Sequence, residues 1–156
     1  MKPRLDIRAL RPDERHSWEP LWQGYLTFYN SAVTPDVTET TWGRLHDPAE
    51  PMHVLGAFLD GTLVGIVHYL FHRSTWTIGD YCYLQDLFTA PEARGQGAGR
   101  ALIEAVYDRA GAAGASRVYW LTQETNATAR ALYDTVADRP GFIQYRHLVR
   151  TGDDVV

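Results

Sequence analysis

The most informative part of the chain is Leu84–Leu102, which reads Leu-Gln-Asp-Leu-Phe-Thr-Ala-Pro-Glu-Ala-Arg-Gly-Gln-Gly-Ala-Gly-Arg-Ala-Leu. An apolar strand pattern leads through Pro91 into a glycine-rich turn at residues 94–99, and a helical pattern begins directly afterwards. Free backbone N–H groups and the positive end of the helix dipole then point at one place. The glycines let the backbone approach a phosphate closely, and Arg94 can add a charge-assisted contact. We interpret the turn as a cradle for a pyrophosphate.

Two common phosphate-binding motifs fit this glycine-rich turn less well. A Walker-type loop ends in Gly-Lys and then Ser or Thr, whereas Gly99 is followed by Arg100-Ala101. A Rossmann fingerprint requires G-x-G-x-x-G and an acidic residue about 20 positions later. The spacing here is G-x-G-x-G, although Glu124 partly imitates the acidic residue. A tight turn that only connects a strand to a helix is the remaining alternative.

A wider resemblance accompanies the turn. Its parts are R-x-x-G-x-G at residues 94–99, the strand Arg117–Leu121, Asn126-x-x-Ala-x-x-Leu-Tyr at residues 126–133, and Gly141-Phe142. In this order and spacing they resemble the GCN5-related N-acetyltransferase (GNAT) superfamily, in which R-x-x-G-x-G is the acetyl-CoA signature. The resemblance covers nearly the whole chain and looks closest to the branch of histone/polyamine and D-amino-acid acetyltransferases.

The resemblance implies acetyl-CoA as cosubstrate. In the family, the strand before the glycine turn splays from its parallel neighbour, and its freed backbone groups bind the pantetheine amide and polarise the thioester carbonyl. Leu87 and Thr89 match those positions. The cofactor-binding residues so implied are Leu87, Phe88, Thr89, Arg94, Gly95, Gln96, Gly97, Ala98, Gly99, Arg100, Asn126 and Tyr133.

Length and composition fit one globular domain. The 156 residues are 45% hydrophobic and 22% charged, which suffices for a core. We expect an N-acetyltransferase domain over residues 1–150 and a C-terminal tail over residues 151–156. The net charge of −4 argues against a nucleic-acid partner. The chain has neither an 18-residue apolar run nor the apolar core of a signal peptide, so we expect no membrane span and a cytoplasmic location.

The pattern of apolar residues and breakers predicts a mixed α/β sheet with helices on both faces, in the order β-α-α-β-β-β-α-β-α-β. Asp13 is the expected cap of the first helix, which Pro20 interrupts or kinks, and Thr34-Pro35 starts the second. Gly111 and Gly114 are expected to end the third. The predicted elements are strands Leu5–Ala9, His53–Leu59, Leu63–Leu70, Tyr81–Thr89, Arg117–Leu121 and Phe142–Val149, and helices after Asp13, from Thr34 towards His46, after Gly99, and Asn126–Val136.

Acetyl transfer to an amine makes three chemical demands. The ammonium, with a pKa of about 10.4, must lose a proton, the carbonyl oxygen needs a donor, and the departing thiolate benefits from a proton. Asn126 and Tyr133 are two helical turns apart and share a face. In the family, the matching tyrosine points at the thioester sulfur and the asparagine contacts the pantetheine arm. Tyr133 is therefore the candidate proton donor; simple capping is the alternative role for Asn126.

Several groups are candidates for the acceptor of the amine proton. In polyamine-acetylating relatives a glutamate relays the proton through water, but the matching residue here is Gln85, which cannot usefully accept one. Asp86 is adjacent, yet neighbours on a regular strand face opposite sides. We keep Asp86 as the candidate catalytic carboxylate. The alternatives are Asp80, Glu124, His68, His72 and bulk water.

A cysteine nucleophile and a metal are both disfavoured. Nothing charged beside Cys82 suggests a lowered pKa, and free cysteine is usually a small buried hydrophobe. A single cysteine also excludes an internal disulfide. The histidines lack ligand spacing, since His68 and His72 lie on a strand pattern. We predict no metal.

The acceptor pocket is expected beside the first helix. Its aromatic stripe could surround an ammonium or methylene chain by cation–π contact, although a core stripe is the alternative. The candidate substrate-binding residues are Trp22, Tyr25, Tyr29, Gln85 and Glu124.

We expect a transferase of the acyltransferase class, in which a primary amine attacks acetyl-CoA directly in a ternary complex. The acceptor is a small-molecule amine, polyamine or amino acid rather than a protein. A non-catalytic CoA-binding sensor is the alternative, favoured by Gln85 and opposed by Tyr133. Related enzymes are often dimers that exchange C-terminal strands, and the region Phe142–Tyr145 suits a homodimer.

Overall fold

The computed structural model describes residues 2–150. The tail predicted at residues 151–156 lies outside them. The strands are β1 Leu5–Ala9, β2 Met52–Leu59, β3 Thr62–His72, β4 Tyr81–Thr89 and β5 Val118–Tyr119; the helices are α1 Arg15–Phe28, α2 Pro35–Leu45, α3 Ala98–Ala112 and α4 Ala127–Val136, with short 3-10 turns at Pro12–Glu14 and Pro91–Ala93. The predicted mixed α/β fold is confirmed.

The five strands form one sheet in the order β1-β2-β3-β4-β5. Each strand from β1 to β4 pairs with the next one antiparallel, and β5 runs parallel to β4. The predicted hairpin between β2 and β3 is present, and Asp60 and Gly61 both have positive φ, at 49° and 85°. β5 is shorter than predicted and pairs with β4 only at Cys82 and Tyr83. Within the described chain, β4 after Tyr83 therefore has no strand on that side.

Each face of the sheet carries its own core, because alternate strand residues point to opposite faces. On one face, α3 buries Leu102, Ile103 and Val106 against β2, β3 and β4. On the other, α1 and α2 bury a tryptophan cluster of Trp18, Trp22 and Trp42. The second face is the one that carries the site described below.

The structure corrects three helix details. α1 follows a 3-10 turn, so Asp13 does not cap it, and it continues through Pro20 because it buries apolar residues on both sides of that proline. Gly111 lies inside α3, and Gly114, with φ +78°, follows its end. The predicted start of α2 is confirmed, since Thr34 Oγ1 accepts the Val37 N–H at 3.4 Å.

The predicted last strand, Phe142–Val149, is wrong for the isolated chain. Described residues 137–150 contain neither helix nor strand. The apolar side chains of the segment are between 72% and 90% exposed. A strand requires a hydrogen-bonding neighbour, and this segment does not pair with the sheet.

Within residues 2–150, no helix is long and apolar enough to cross a bilayer. The cytoplasmic location stays a prediction.

Candidate active site

The glycine turn has the geometry of an anion cradle. Gly95 and Gly97 have φ of +80° and +85°, and a β-carbon on either would meet no protein atom within 4 Å. Gly97 precedes α3, and the first helical bond of α3 runs from the Ala101 N–H to the Gly97 carbonyl at 3.0 Å. The N–H groups before Ala101 in α3 have no helical acceptor, so they can bind an anion.

The two arginines of the turn have different surroundings. Arg94 is exposed, and its guanidinium carbon lies 5.9 Å from the ring centres of both Phe28 and Phe88. Arg100 instead donates to Thr135 Oγ1 on α4 at 2.7 Å. Arg94 is therefore the better placed of the two to contact a ligand at the turn, whereas Arg100 joins α3 to α4.

A bulge in β4 decides which side chains enter the site. Tyr69 of β3 pairs with Leu84, and His68 pairs with Asp86, so Gln85 is the extra residue and its side chain is exposed. The extra residue changes the alternation of β4. Tyr83 and Asp86 both lie on the α1 face, while Leu84 and Leu87 pack on the α3 face. This bulge corrects the expectation that side chains alternate regularly along β4, and the match of Gln85 to the family's glutamate stays a prediction.

A chain of hydrogen bonds runs from the buried core to the Asp86 carboxylate through two aromatic residues. Its Oδ2 lies 2.9 Å from His68 Nδ1, and His68 Nε2 lies 2.9 Å from the Trp18 indole nitrogen. Trp18 is fully buried and His68 is 4% exposed. An indole nitrogen only donates, so His68 Nε2 is the acceptor and its Nδ1–H donates to Asp86. No pattern in the sequence indicates Trp18 as a partner of this site.

Tyrosines line the opposite side of Asp86. Burial raises the pKa of Tyr25 strongly, and the charge of Asp86 with its hydrogen bonding to the phenol adds to the effect. Burial, followed by the Asp86 charge, also raises the pKa of Tyr29 and of Tyr83. The phenols of Tyr25 and Tyr29, with ring centres 5.0 Å apart, therefore stay protonated next to a carboxylate.

Trp22 belongs to the core behind this wall. It is 7% exposed, its ring is stacked 5.8 Å from that of Tyr25, and its indole donates to Thr38 Oγ1 at 3.2 Å. Of the predicted aromatic stripe, Tyr25 and Tyr29 are the half-buried members. Tyr83 is an addition that sequence reasoning missed, because only the bulge places it beside Asp86.

Tyr133 is half-buried on α4. Burial, followed by the nearby Tyr29, raises its pKa to about 12, so its hydroxyl is protonated at neutral pH. Its ring centre lies 5.3 Å from that of Trp120. Asn126 caps α4, since its Oδ1 accepts the Ala129 N–H at 3.3 Å. The capping alternative is confirmed, and its contact with a cofactor stays a prediction.

Several candidate groups lie elsewhere or are inert. Glu124 is exposed in the turn before α4, where its backbone carbonyl accepts from Arg130 at 2.6 Å. His72 is hydrogen-bonded to the Tyr119 hydroxyl at 2.7 Å. Burial raises the pKa of the Cys82 thiol to about 11, which opposes a nucleophilic role. Among residues 2–150, no three potential metal ligands come together.

Comparison with known sequences identifies relatives of this arrangement. Residues 8–136 match the family model described as the acetyltransferase (GNAT) family. The D-amino-acid N-acetyltransferase HPA3 of Saccharomyces cerevisiae is 35% identical over 145 residues, which cover 92% of this chain and 90% of the relative. A thialysine N-epsilon-acetyltransferase of Caenorhabditis elegans is 29% identical over 126 residues, covering 67% of this chain and 78% of the relative.

Solved structures share the fold at lower identity. The aminoglycoside N-acetyltransferase AAC(6')-Iy, bound to the bisubstrate analog CoA-S-monomethyl-acetylneamine, has a TM-score of 0.80 at 16% identity, over 95% of this chain and 99% of that one. A ribosomal-protein-alanine N-acetyltransferase from Brucella melitensis biovar Abortus 2308 has a TM-score of 0.75 at 24% identity, over 95% of this chain and all of that one.

Proposed function

The chain belongs to the acetyltransferase (GNAT) family and is an acetyltransferase, and we propose that it transfers the acetyl group of acetyl-CoA to the primary amine of a small molecule. The amine attacks directly, with both substrates bound. The single observation that carries the proposal is the position of the Asp86 carboxylate. Asp86 lies on β4, the strand that leads into the glycine turn, and protonated tyrosines surround it.

The glycine turn supports acetyl-CoA as cosubstrate. Its open glycines and unbonded helical N–H groups suit a pyrophosphate, and Arg94 adds positive charge. The unpaired side of β4 after Tyr83 leaves backbone groups of Leu87 and Thr89 for an amide-bearing arm. A protein that shares this fold has been solved in complex with a CoA bisubstrate analog. Acetyl-CoA supplies the activated acetyl thioester.

The surroundings of Asp86 support a cationic acceptor. One carboxylate matches one ammonium, and the rings of Tyr25 and Tyr29 offer cation–π contact to it. The relative from yeast is named for D-amino acids, and the relative from C. elegans for thialysine. Amino acids are therefore the first acceptors to test, ahead of polyamines and proteins.

Two groups divide the proton transfers. Asp86 accepts a proton from the substrate ammonium, directly or through a water molecule, and thereby frees the nitrogen lone pair. Tyr133, whose phenol is still protonated at neutral pH, donates its hydroxyl proton to the departing sulfur. The nitrogen loses its second proton as the amide forms, and that proton returns to the Tyr133 oxygen through water, so the products are the amide, the CoA thiol and the proton held by Asp86. The non-catalytic sensor alternative is disfavoured, because it gives neither group a role.

An assay of thiol release tests the proposed function. Purified protein with acetyl-CoA is supplied with D-amino acids, L-amino acids, polyamines, aminoglycosides and basic peptides, beside a blank without acceptor. We expect release above the blank with an amino acid or another small amine, and an acetylated product by mass spectrometry. A flat panel from protein that binds acetyl-CoA would contradict a small-amine transferase and favour the sensor.

We also propose that the active form is a homodimer joined through the segment Phe142–Val149. The segment exposes Phe142, Ile143, Tyr145, Leu148 and Val149, and Ile143 and Val149 are at least 75% exposed. Its β-branched and aromatic residues suit a strand, yet it does not pair with its own sheet. A second copy can supply the missing neighbour by strand addition.

A further inference from the structure

We infer that Trp18 and His68 are positioning residues that hold the Asp86 carboxylate in place for the acceptor amine. The inference rests on the proposed role of Asp86 and goes beyond it. It concerns two buried side chains behind the carboxylate, which touch neither substrate nor cofactor in the proposed reaction.

The chain of hydrogen bonds has only one direction. The Trp18 indole N–H donates to His68 Nε2 across 2.9 Å, and His68 Nδ1–H donates to Asp86 Oδ2 across 2.9 Å. Trp18 has no acceptor capacity to offer, so the imidazole is held in its neutral Nδ1–H tautomer. The carboxylate receives this donor at Oδ2, and the Tyr25 phenol lies near the same carboxylate.

This direction prevents His68 from storing the substrate proton. A proton on His68 Nε2 would face the Trp18 indole N–H, so two donors would meet and the hydrogen bond between them would be lost. The pair of His68 and Asp86 therefore keeps a net negative charge, which an acceptor ammonium requires. His68 lies behind the carboxylate, so it orients the group that accepts the proton and does not accept the proton itself.

Packing restrains the imidazole further. Its ring centre lies 5.9 Å from that of Trp18 and 5.4 Å from that of Trp22, both on α1. The ionisable groups that face Asp86 are Tyr25 and Tyr29 from α1, Tyr83 from β4 and His68 from β3. The charge of Arg146, in the C-terminal segment, also acts on Tyr83. Among residues 2–150, no ion pair joins Asp86 to an arginine or lysine, which leaves its charge for the substrate.

The first test compares Trp18→Phe with Trp42→Phe. Both residues are buried in the same cluster, with ring centres 4.8 Å apart, but only Trp18 donates to His68. Trp18→Phe should raise the KM for the amine about 5-fold at pH 8, the usual scale for one lost buried hydrogen bond. The rise should be confined to the amine, so the KM for acetyl-CoA should stay within about 2-fold of native. Trp42→Phe keeps the bond between Trp18 and His68 and should leave the amine KM near its native value.

The second test exchanges His68 for residues with and without a donor. Asn offers an amide N–H near the place of Nδ1, whereas Leu offers none. We expect His68→Asn to keep the amine KM within about 3-fold of native and His68→Leu to raise it more than about 10-fold. Acetyl-CoA affinity and the melting temperature of each variant report any general damage to the fold.

Asp86→Asn, measured in parallel, separates this inference from the proposed function. If Asp86→Asn leaves the amine kinetics native, the proposed role of Asp86 is wrong. If Asp86→Asn impairs them while Trp18→Phe matches Trp42→Phe in amine KM and His68→Leu matches His68→Asn, only the positioning role is overturned.

Discussion

Tyr133 shows how the surroundings of one side chain fit it to its proposed task. Burial and the nearby Tyr29 raise its pKa to about 12, so at assay pH values of about 7–9 it carries a proton to donate. The loss of that proton lies well above this range, so the hydroxyl itself should cause no fall in rate across it.

Replacing Tyr133 by Phe removes the proton and keeps the ring that packs near Trp120. We expect kcat to fall by roughly 10- to 1000-fold, the range for loss of a general acid, with an unchanged dissociation constant for acetyl-CoA. Steady-state kinetics and calorimetric titration measure the two quantities. Native turnover in the folded variant would overturn the proton-donor role. Tyr107→Phe, which removes a hydroxyl bonded to the Val136 carbonyl at 2.8 Å, controls for loss of a phenol on this side of the molecule.

At the scale of elements, the turn before α3 combines backbone conformation with helix polarity. Gly97→Glu places a carboxylate where we propose that the phosphates of acetyl-CoA bind, and it strains a residue with φ +85°. We expect this variant to lose acetyl-CoA binding. Gly61→Glu is the matched control, because Gly61 also has φ +85° and open space around its Cα, but lies in the β2–β3 hairpin.

Isothermal titration with acetyl-CoA measures the difference between the two glycine variants. The backbone strain is shared, so a loss confined to Gly97→Glu identifies the turn as the phosphate site. Native affinity in a folded Gly97→Glu protein would show that the phosphates bind elsewhere.

The junction of β1 and α1 contains an ion pair between a half-buried arginine and a buried glutamate. Glu14 accepts from both terminal nitrogens of Arg8, at 2.8 and 2.9 Å, and from the Arg11 backbone N–H at 2.8 Å. These bonds, chiefly those from Arg8, lower the pKa of Glu14 from 4.5 to about 2. A lowered pKa means that the stabilisation is complete above pH 4.5 and is lost as the pH falls towards about 2.

Glu14→Gln should therefore lower the free energy of unfolding by about 1–3 kcal/mol at pH 7, a range that allows for the partial exposure of Arg8. The difference from the native protein should shrink as the pH falls below about 4.5. Urea unfolding at several pH values measures it, with Glu92→Gln, at an exposed position, as the control. A difference that is constant with pH would contradict the ionic origin.

For the molecule as a whole, the exposed apolar segment Phe142–Val149 leads us to expect association with a second copy of the chain. We expect light scattering to give twice the chain mass of 17.7 kDa for the native protein. The double variant Ile143→Asp with Tyr145→Asp should give the monomer mass, because two carboxylates oppose burial of the segment. Trp76→Asp, at a residue that is 85% exposed in the β3–β4 loop, should stay dimeric. A native monomer at about 100 μM would overturn the proposed assembly, since stable dimers bind more tightly than this.

Features that depend on local patterns follow from the amino-acid order alone. Apolar runs and the Asp60-Gly61 turn predicted the first four strands, Thr34-Pro35 predicted the start of α2, and the glycines of residues 94–99 predicted the turn before α3. Each of these follows from the φ, capping or periodicity of neighbouring residues, which the order of amino acids states directly.

The surroundings of Asp86, in contrast, depend on contacts between residues that are far apart in the sequence. One extra residue at Gln85 reverses the alternation of β4, and no local signal marks a bulge there. The bonds from Trp18 to His68 and from His68 to Asp86 join residues 50 and 18 positions apart. Whether Phe142–Val149 forms a strand could not be predicted from the sequence either, because a strand forms only where a neighbouring strand accepts and donates its backbone hydrogen bonds.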